Sequence, residues 1–130
     1  MELFDHVQIK VSNLAFSRTF YLSCLSAIGH GVVFEIENVV VGFGPSCHNM
    51  FEIRQADAQA HLSAHVHVAF RALNHDQVRQ FYSTALKLGG SCNGEPGYRR
   101  EYEAGYYAAF VRDPDGNNIE VVSLDPAVER

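Results

Sequence analysis

Histidine and glutamate recur at two places in this chain where side-chain alternation turns them toward one face. His6 opens the segment His6-Val7-Gln8-Ile9-Lys10, and His67 opens His67-Val68-Ala69-Phe70-Arg71. The second lies 61 residues after the first. The same offset carries Val7 onto Val68, Asn13 onto Asn74, Arg18 onto Arg79, Phe20 onto Phe81, Tyr21 onto Tyr82, Leu25 onto Leu86 and Gly29 onto Gly90. Self-similarity of this kind marks a duplicated supersecondary unit. Along a strand, residues i and i+2 share a face. His6, Gln8 and Lys10 therefore oppose Val7, Ile9 and Val11, and His65, His67, Ala69 and Arg71 oppose Val66, Val68 and Phe70. Near the end of each copy, Glu52 and Arg54 oppose Phe51 and Ile53, and Glu120 sits between Ile119 and Val121. A carboxylate among apolar neighbours is costly unless a partner or a cation stabilises it. Two imidazoles and two carboxylates from equivalent places suit one divalent metal. That donor mix favours Fe, Ni, Mn, Co or Zn over Ca or Mg. Glu52 maps onto Glu120 only at an offset of 68, which requires an insertion in the second copy.

The elements that must position these groups read alike in both copies. An extended segment comes first, over 5–11 and 65–71, with branched or aromatic residues alternating with polar ones. Asn13 and Asn74 follow as N-caps of a helix. In the second helix Val78, Phe81, Tyr82, Ala85 and Leu86 form one apolar stripe. Gly29 and Gly89-Gly90 end the helices. Three strands complete each copy, about 31–37, 39–44 and 49–55 in the first and about 97–103, 105–112 and 118–123 in the second. Asp113-Pro114-Asp115-Gly116 is a strong turn before the last strand. The unit is βαβββ, twice: module 1 over about 4–56 and module 2 over about 63–124, joined by residues 55–62. Together they make a single α+β domain over 1–130.

Composition removes several classes of function. The 130 residues are 47% hydrophobic and 19% charged, which gives a globular chain with a core. A net charge of −5 argues against a nucleic-acid partner. No apolar run is long enough to cross a bilayer. The opening MELFDHVQIK has no basic start followed by an apolar stretch, so no secretory signal is expected and the cytoplasm is the expected location. Cys24, Cys47 and Cys92 form neither a disulfide framework nor a zinc motif, and read as reduced thiols. Of the seven histidines, His30, His48, His61 and His75 lie near turns or helix ends, where solvation suffices to explain them.

Paired βαβββ modules, histidine at the start of each, and the ending Asp113-Pro114-Asp115-Gly116-Asn117-Asn118-Ile119-Glu120 resemble the vicinal oxygen chelate superfamily. That family includes glyoxalase I, extradiol dioxygenases, fosfomycin-resistance metalloenzymes and bleomycin-binding proteins. The resemblance implies a U-shaped, half-open barrel around a metal whose ligands would be His6, Glu52, His67 and Glu120. It also implies a small-molecule substrate with two neighbouring oxygens, bound to a Lewis-acidic ion. The residue content is closest to the small glyoxalase I-like lyases, with Glu120 as the base. Lys10 and Ala56 stand where glyoxalase I carries the Arg and Asn that hold glutathione, and Lys does not replace the bidentate fork of Arg. An extradiol dioxygenase would need only His6, His67 and Glu120, with His65 as an acid/base on the same strand face. A fosfomycin-type thiol transferase would use the same triad. A bleomycin-type binding protein would lack the ligands. Substrate contacts are expected from Lys10, Arg54, Arg99 and Tyr107. Alternation lets only one of Tyr106 and Tyr107 face inward, and Tyr102 is a further wall candidate. Residues 93–99 are expected to form a rim or lid over the site. The family also implies a homodimer, with modules paired within one chain or exchanged between two.

Overall fold

A computed structural model describes residues 3–126 of the chain. The element order is β1 (His6–Val11), α1 (Leu14–Ser26), β2 (Gly31–Ile36), β3 (Val40–Ser46), β4 (Asn49–Gln55), β5 (His67–Arg71), α2 (His75–Lys87), β6 (Ser91–Tyr98), β7 (Tyr106–Arg112) and β8 (Asn118–Leu124). Two compact units divide between Ala64 and His65. Each is βαβββ, and each builds an open four-stranded sheet, ordered β1-β4-β3-β2 in the first and β5-β8-β7-β6 in the second. The first strand of each unit pairs in parallel with the last, and the remaining pairings are antiparallel.

The helices start where short polar side chains satisfy their free amides. Asn13 Oδ1 accepts from Phe16 N at 3.0 Å, and Asn74 Oδ1 accepts from Gln77 N at 2.9 Å. Each helix lays its apolar stripe on its own sheet. In the first unit Phe20, Tyr21, Cys24 and Leu25 are buried with Ile9, Val11, Phe43 and Ile53. In the second, Val78, Phe81 and Ala85 are buried with Val111, Ile119 and Val121. The second stripe is narrower than its periodicity predicts: Leu86 is 40% exposed. The helix ends explain this. His30 N bonds to Leu25 O in the first unit and Gly90 N to Ala85 O in the second, so the repeat slips by one residue there. Gly29 (φ +90°) is matched in conformation by Gly89 (φ +103°), and Ala85 takes the buried place of Leu25.

Two predicted elements are corrected. The strand expected at 97–103 runs instead from Ser91 to Tyr98, so the predicted rim or lid at 93–99 is largely a strand. It is an edge strand paired only with β7, and its register shifts on both sides of Gly94. An edge position tolerates Pro96, which has no N–H to donate. The second correction concerns His65. Strand β5 begins at His67, and His65 precedes it with a left-handed φ of 60°. Strand alternation therefore does not carry His65 onto the face of His67.

Candidate functional site

Register creates the same His–Glu pair in each unit. In the first, β1 against β4 sets His6 opposite Met50 and Gln8 opposite Glu52. In the second, β5 against β8 sets His67 opposite Asn118 and Ala69 opposite Glu120. Each carboxylate is thus two residues beyond the partner of its histidine, on the same face. Glu52 and Glu120 are structurally equivalent: Gly42 pairs with Glu52 and Phe110 with Glu120, so the residues that separate their numbering lie in β6 and the turn between β6 and β7.

The first pair is held from one side. His6 Nε2 lies 3.9 Å from Glu52 Oε1. Its other ring nitrogen, Nδ1, is bonded to Asp5 Oδ1 at 2.7 Å, and Asp5 Oδ2 reaches His48 Nδ1 at 2.9 Å. A carboxylate on one imidazole nitrogen fixes the ring and presents the other nitrogen. The bond to Asp5, helped by the charge of Glu52, raises the His6 pKa, and the bonds to His6 and His48 lower that of Asp5. Glu52 is only 5% exposed. Gln8 Nε2 donates to its Oε1 at 3.1 Å, and Lys10 Nζ donates to Gln8 Oε1 at 2.6 Å. Lys10 is therefore tied into a chain ending on the carboxylate. Arg54 is half-buried on the same face, in register with Lys10. Across from Glu52 on β3 is Gly42, where a Cβ would come within 2.6 Å of Met50 Sδ and 3.5 Å of Glu52 Cγ. Glycine there leaves the carboxylate its space.

The second pair is tighter. His67 Nε2 and Glu120 Oε1 are 2.9 Å apart, and Glu120 is 3% exposed. The Tyr106 hydroxyl donates to Glu120 Oε2. Burial, and then the bond to Glu120, pushes the Tyr106 phenol up to about 12, so it remains a donor at neutral pH. Across from Glu120 on β7 stands Phe110, and the Arg99 guanidinium lies 5.4 Å above its ring centroid. Arg99 also donates to the carbonyls of Gly97 and Glu95.

The turn after β7 positions the strand that carries His67. Asp113 Oδ1 accepts from the backbone of Asp115 and Asn117, both at 2.9 Å. The Asn117 side chain, fully buried, accepts from Val66 N at 3.0 Å. The Asp-Pro-Asp-Gly-Asn segment thereby fixes where β5 begins.

Tyr107 is on the other face. Its ring stacks on His75 at 3.8 Å and 10°, and its hydroxyl accepts from Arg79 at 3.3 Å. The tyrosine that shares the face of Glu120 is Tyr106, which alternation identifies once the pairing of Phe110 with Glu120 is known. Asp5 is the further member that sequence reading missed, and Gln8, which alternation places on the face of His6, is given no role by the sequence. The signal for Asp5 was the Asp-His dipeptide, absent from the second copy, where Val66 precedes His67. A hollow of about 320 Å³ lies at the start of α2, lined by Leu73, His75, Arg79, Ser123 and Asp125 among others, and none of the predicted site residues line it.

The donor chemistry of each pair, one imidazole nitrogen and one buried carboxylate oxygen, fits half of a transition-metal ligand set. Among the described residues, no group of three or more His, Cys, Asp or Glu is gathered for an ion. No helix among them is long and apolar enough to cross a membrane.

A family model described as the Glyoxalase/Bleomycin resistance protein/Dioxygenase superfamily matches residues 3–121. Among solved structures, a glyoxalase/bleomycin resistance protein from Albidiferax ferrireducens T118 is similar with a TM-score of 0.80 and 26% identity, covering 95% of this chain and 100% of that one. A glyoxalase/bleomycin resistance protein/dioxygenase family enzyme from Burkholderia phytofirmans PsJN shares the fold at a TM-score of 0.71 and 15% identity, covering 93% and 98%. So does a lactoylglutathione lyase from Agrobacterium tumefaciens, at 0.67 and 19%, covering 95% and 94%. No curated protein matches the chain in sequence.

Proposed function

We propose, because the chain belongs to the Glyoxalase/Bleomycin resistance protein/Dioxygenase superfamily, that it is a divalent-metal-dependent enzyme of the glyoxalase I-like lyase or isomerase type. Its substrate is a small molecule with two neighbouring oxygens. The observation that carries this reading is the duplicated His–Glu pair, His6 with Glu52 and His67 with Glu120, set by identical parallel registers. These four residues would hold the ion. A bound ion would supply Lewis-acid polarisation of the two substrate oxygens. The protein's own groups do the rest. Asp5 orients His6 through Nδ1, and Gln8 orients the Glu52 carboxylate. Glu120 takes a proton from the substrate carbon beside the carbonyl and returns it to the neighbouring carbon. Arg54 and Arg99 supply positive charge for an anionic part of the substrate.

The reading is tested on protein purified without chelator. Metal content is measured for the wild type and for His6→Ala, His67→Ala and Glu120→Gln, alongside hemithioacetal isomerisation and oxygen uptake with catechols. Bound metal lost in all three variants, with isomerisation and no oxygen uptake, is the expected result. Oxygen uptake would instead select the ring-cleaving reaction, and wild-type protein without metal would end the metal reading. A homodimer, checked by sedimentation, is the expected assembly.

A further inference from the structure

We propose that Tyr106 is a positioning residue that holds one oxygen of Glu120, so that this carboxylate presents a single oxygen, Oε1, alongside His67. The inference rests on the metal reading above and goes beyond it in naming the group that orients Glu120.

The geometry is specific to the second unit. Glu120 has two oxygens with separate partners: Oε1 meets His67 Nε2 at 2.9 Å, and Oε2 accepts from the Tyr106 hydroxyl. The Tyr106 ring is steadied by Tyr102, edge-on at 5.2 Å and 84°. It rests on the apolar cluster of Ala108, Phe110 and Val122. With Glu120 buried and its neighbours on the strand apolar, the phenol and the His67 ring fix the rotation of the carboxylate between them, and the phenol is the one of the two that is not itself assigned to the ion. In the first unit the residue four positions before Gly42, the counterpart of Tyr106, is Asn38, which lies in a turn and has no phenol. There the carboxylate is held by Gln8 on Oε1, the same oxygen that faces His6. The place of Gln8 is taken by Ala69 in the second unit. One glutamate is thus held through the oxygen near its histidine and the other through the oxygen remote from it. Hydrogen bonds to metal-ligating groups orient them, and their loss typically weakens metal affinity about 10- to 100-fold.

The test uses Tyr106→Phe, which removes only the hydroxyl. Chelator-stripped wild type and variant are titrated with Co²⁺ and followed by visible absorption. The expected result is the same stoichiometry, an affinity about 10- to 100-fold weaker, and a changed Co²⁺ band, because the freed Oε2 alters the ligand set. Identical affinity and band would overturn the proposal. Should the wild type take up no Co²⁺, the metal reading falls alone. The hydrogen bond is then judged by a double-mutant cycle of Tyr106→Phe with Glu120→Ala, which leaves no acceptor for the phenol, in urea unfolding. A coupling of about tenfold or more in the unfolding equilibrium upholds the positioning role, and additivity within about twofold overturns it.

Discussion

The two units repeat a backbone and a pair of side chains, yet they hold that pair by different means. In the first unit the supports are on or near the surface: Asp5 and His48 are exposed, and the chain from Lys10 through Gln8 to Glu52 is only part-buried. In the second they are internal: Asn117 is fully buried and Tyr106 half-buried. Register is what duplication preserved, because a one-residue slip would turn every side chain to the other face. The groups around the pair were under no such constraint, and they diverged.

Glu120→Gln is the substitution with the largest expected consequence for this contrast. It should lower kcat/KM for hemithioacetal isomerisation by about 10²- to 10⁴-fold, and Glu52→Gln by less. Equal losses would erase the functional difference between the units. Next come the equivalent core aromatics Phe20 and Phe81, both fully buried. Truncation of either to alanine should cost about 3–5 kcal/mol in urea unfolding. A large inequality would show that the two cores are not energetically alike. Asn117→Ala should cost about 1–3 kcal/mol, whereas His48→Ala, at an exposed site, should stay within about 0.5 kcal/mol. Similar values for the two would remove the distinction between buried and surface anchoring. The smallest effect is expected in acid. Arg18 holds the Glu35 carboxyl below its ordinary value, and Tyr98 with His75 does the same for Asp125. A lowered folded pKa stabilises above the ordinary values of 4.5 and 3.8, and that stabilisation is lost as pH falls through the folded values. Glu35→Gln and Asp125→Asn should each flatten the acid limb of a stability–pH profile slightly, and an unchanged limb would show the bond to be idle.

Much of this was legible from residue types alone. The repeat, both N-caps, His6, His67 and the buried Glu120 follow from alternation and offset. The limits of β6 did not, because Gly94, Pro96 and Gly97 read as a loop although an edge strand can carry them. Glu52 looked weaker than Glu120 because the extra residues of the second unit lie in β6 and the turn that follows it, where register cannot be counted from the sequence. Tyr106 and Tyr107 could not be told apart, since alternation says that they differ and not which one faces the carboxylate. His65 was misplaced because nothing in its residue type announces a positive φ. Asp5 acts through a ring nitrogen of its neighbour, a contact that no periodicity reveals.

The irregular edge of the second sheet has a consequence for behaviour in concentrated solution. A regular outer strand offers a row of unused amides and carbonyls on which another chain can add, the first step of edge-to-edge aggregation. Along Ser91–Tyr98 that row is interrupted: Pro96 has no amide hydrogen, Glu95 adds a charge, and the pairing shifts on either side of Gly94. The segment that reads as a loop is thus a guard against self-association, and replacing Pro96 with valine should lower the concentration at which the protein aggregates.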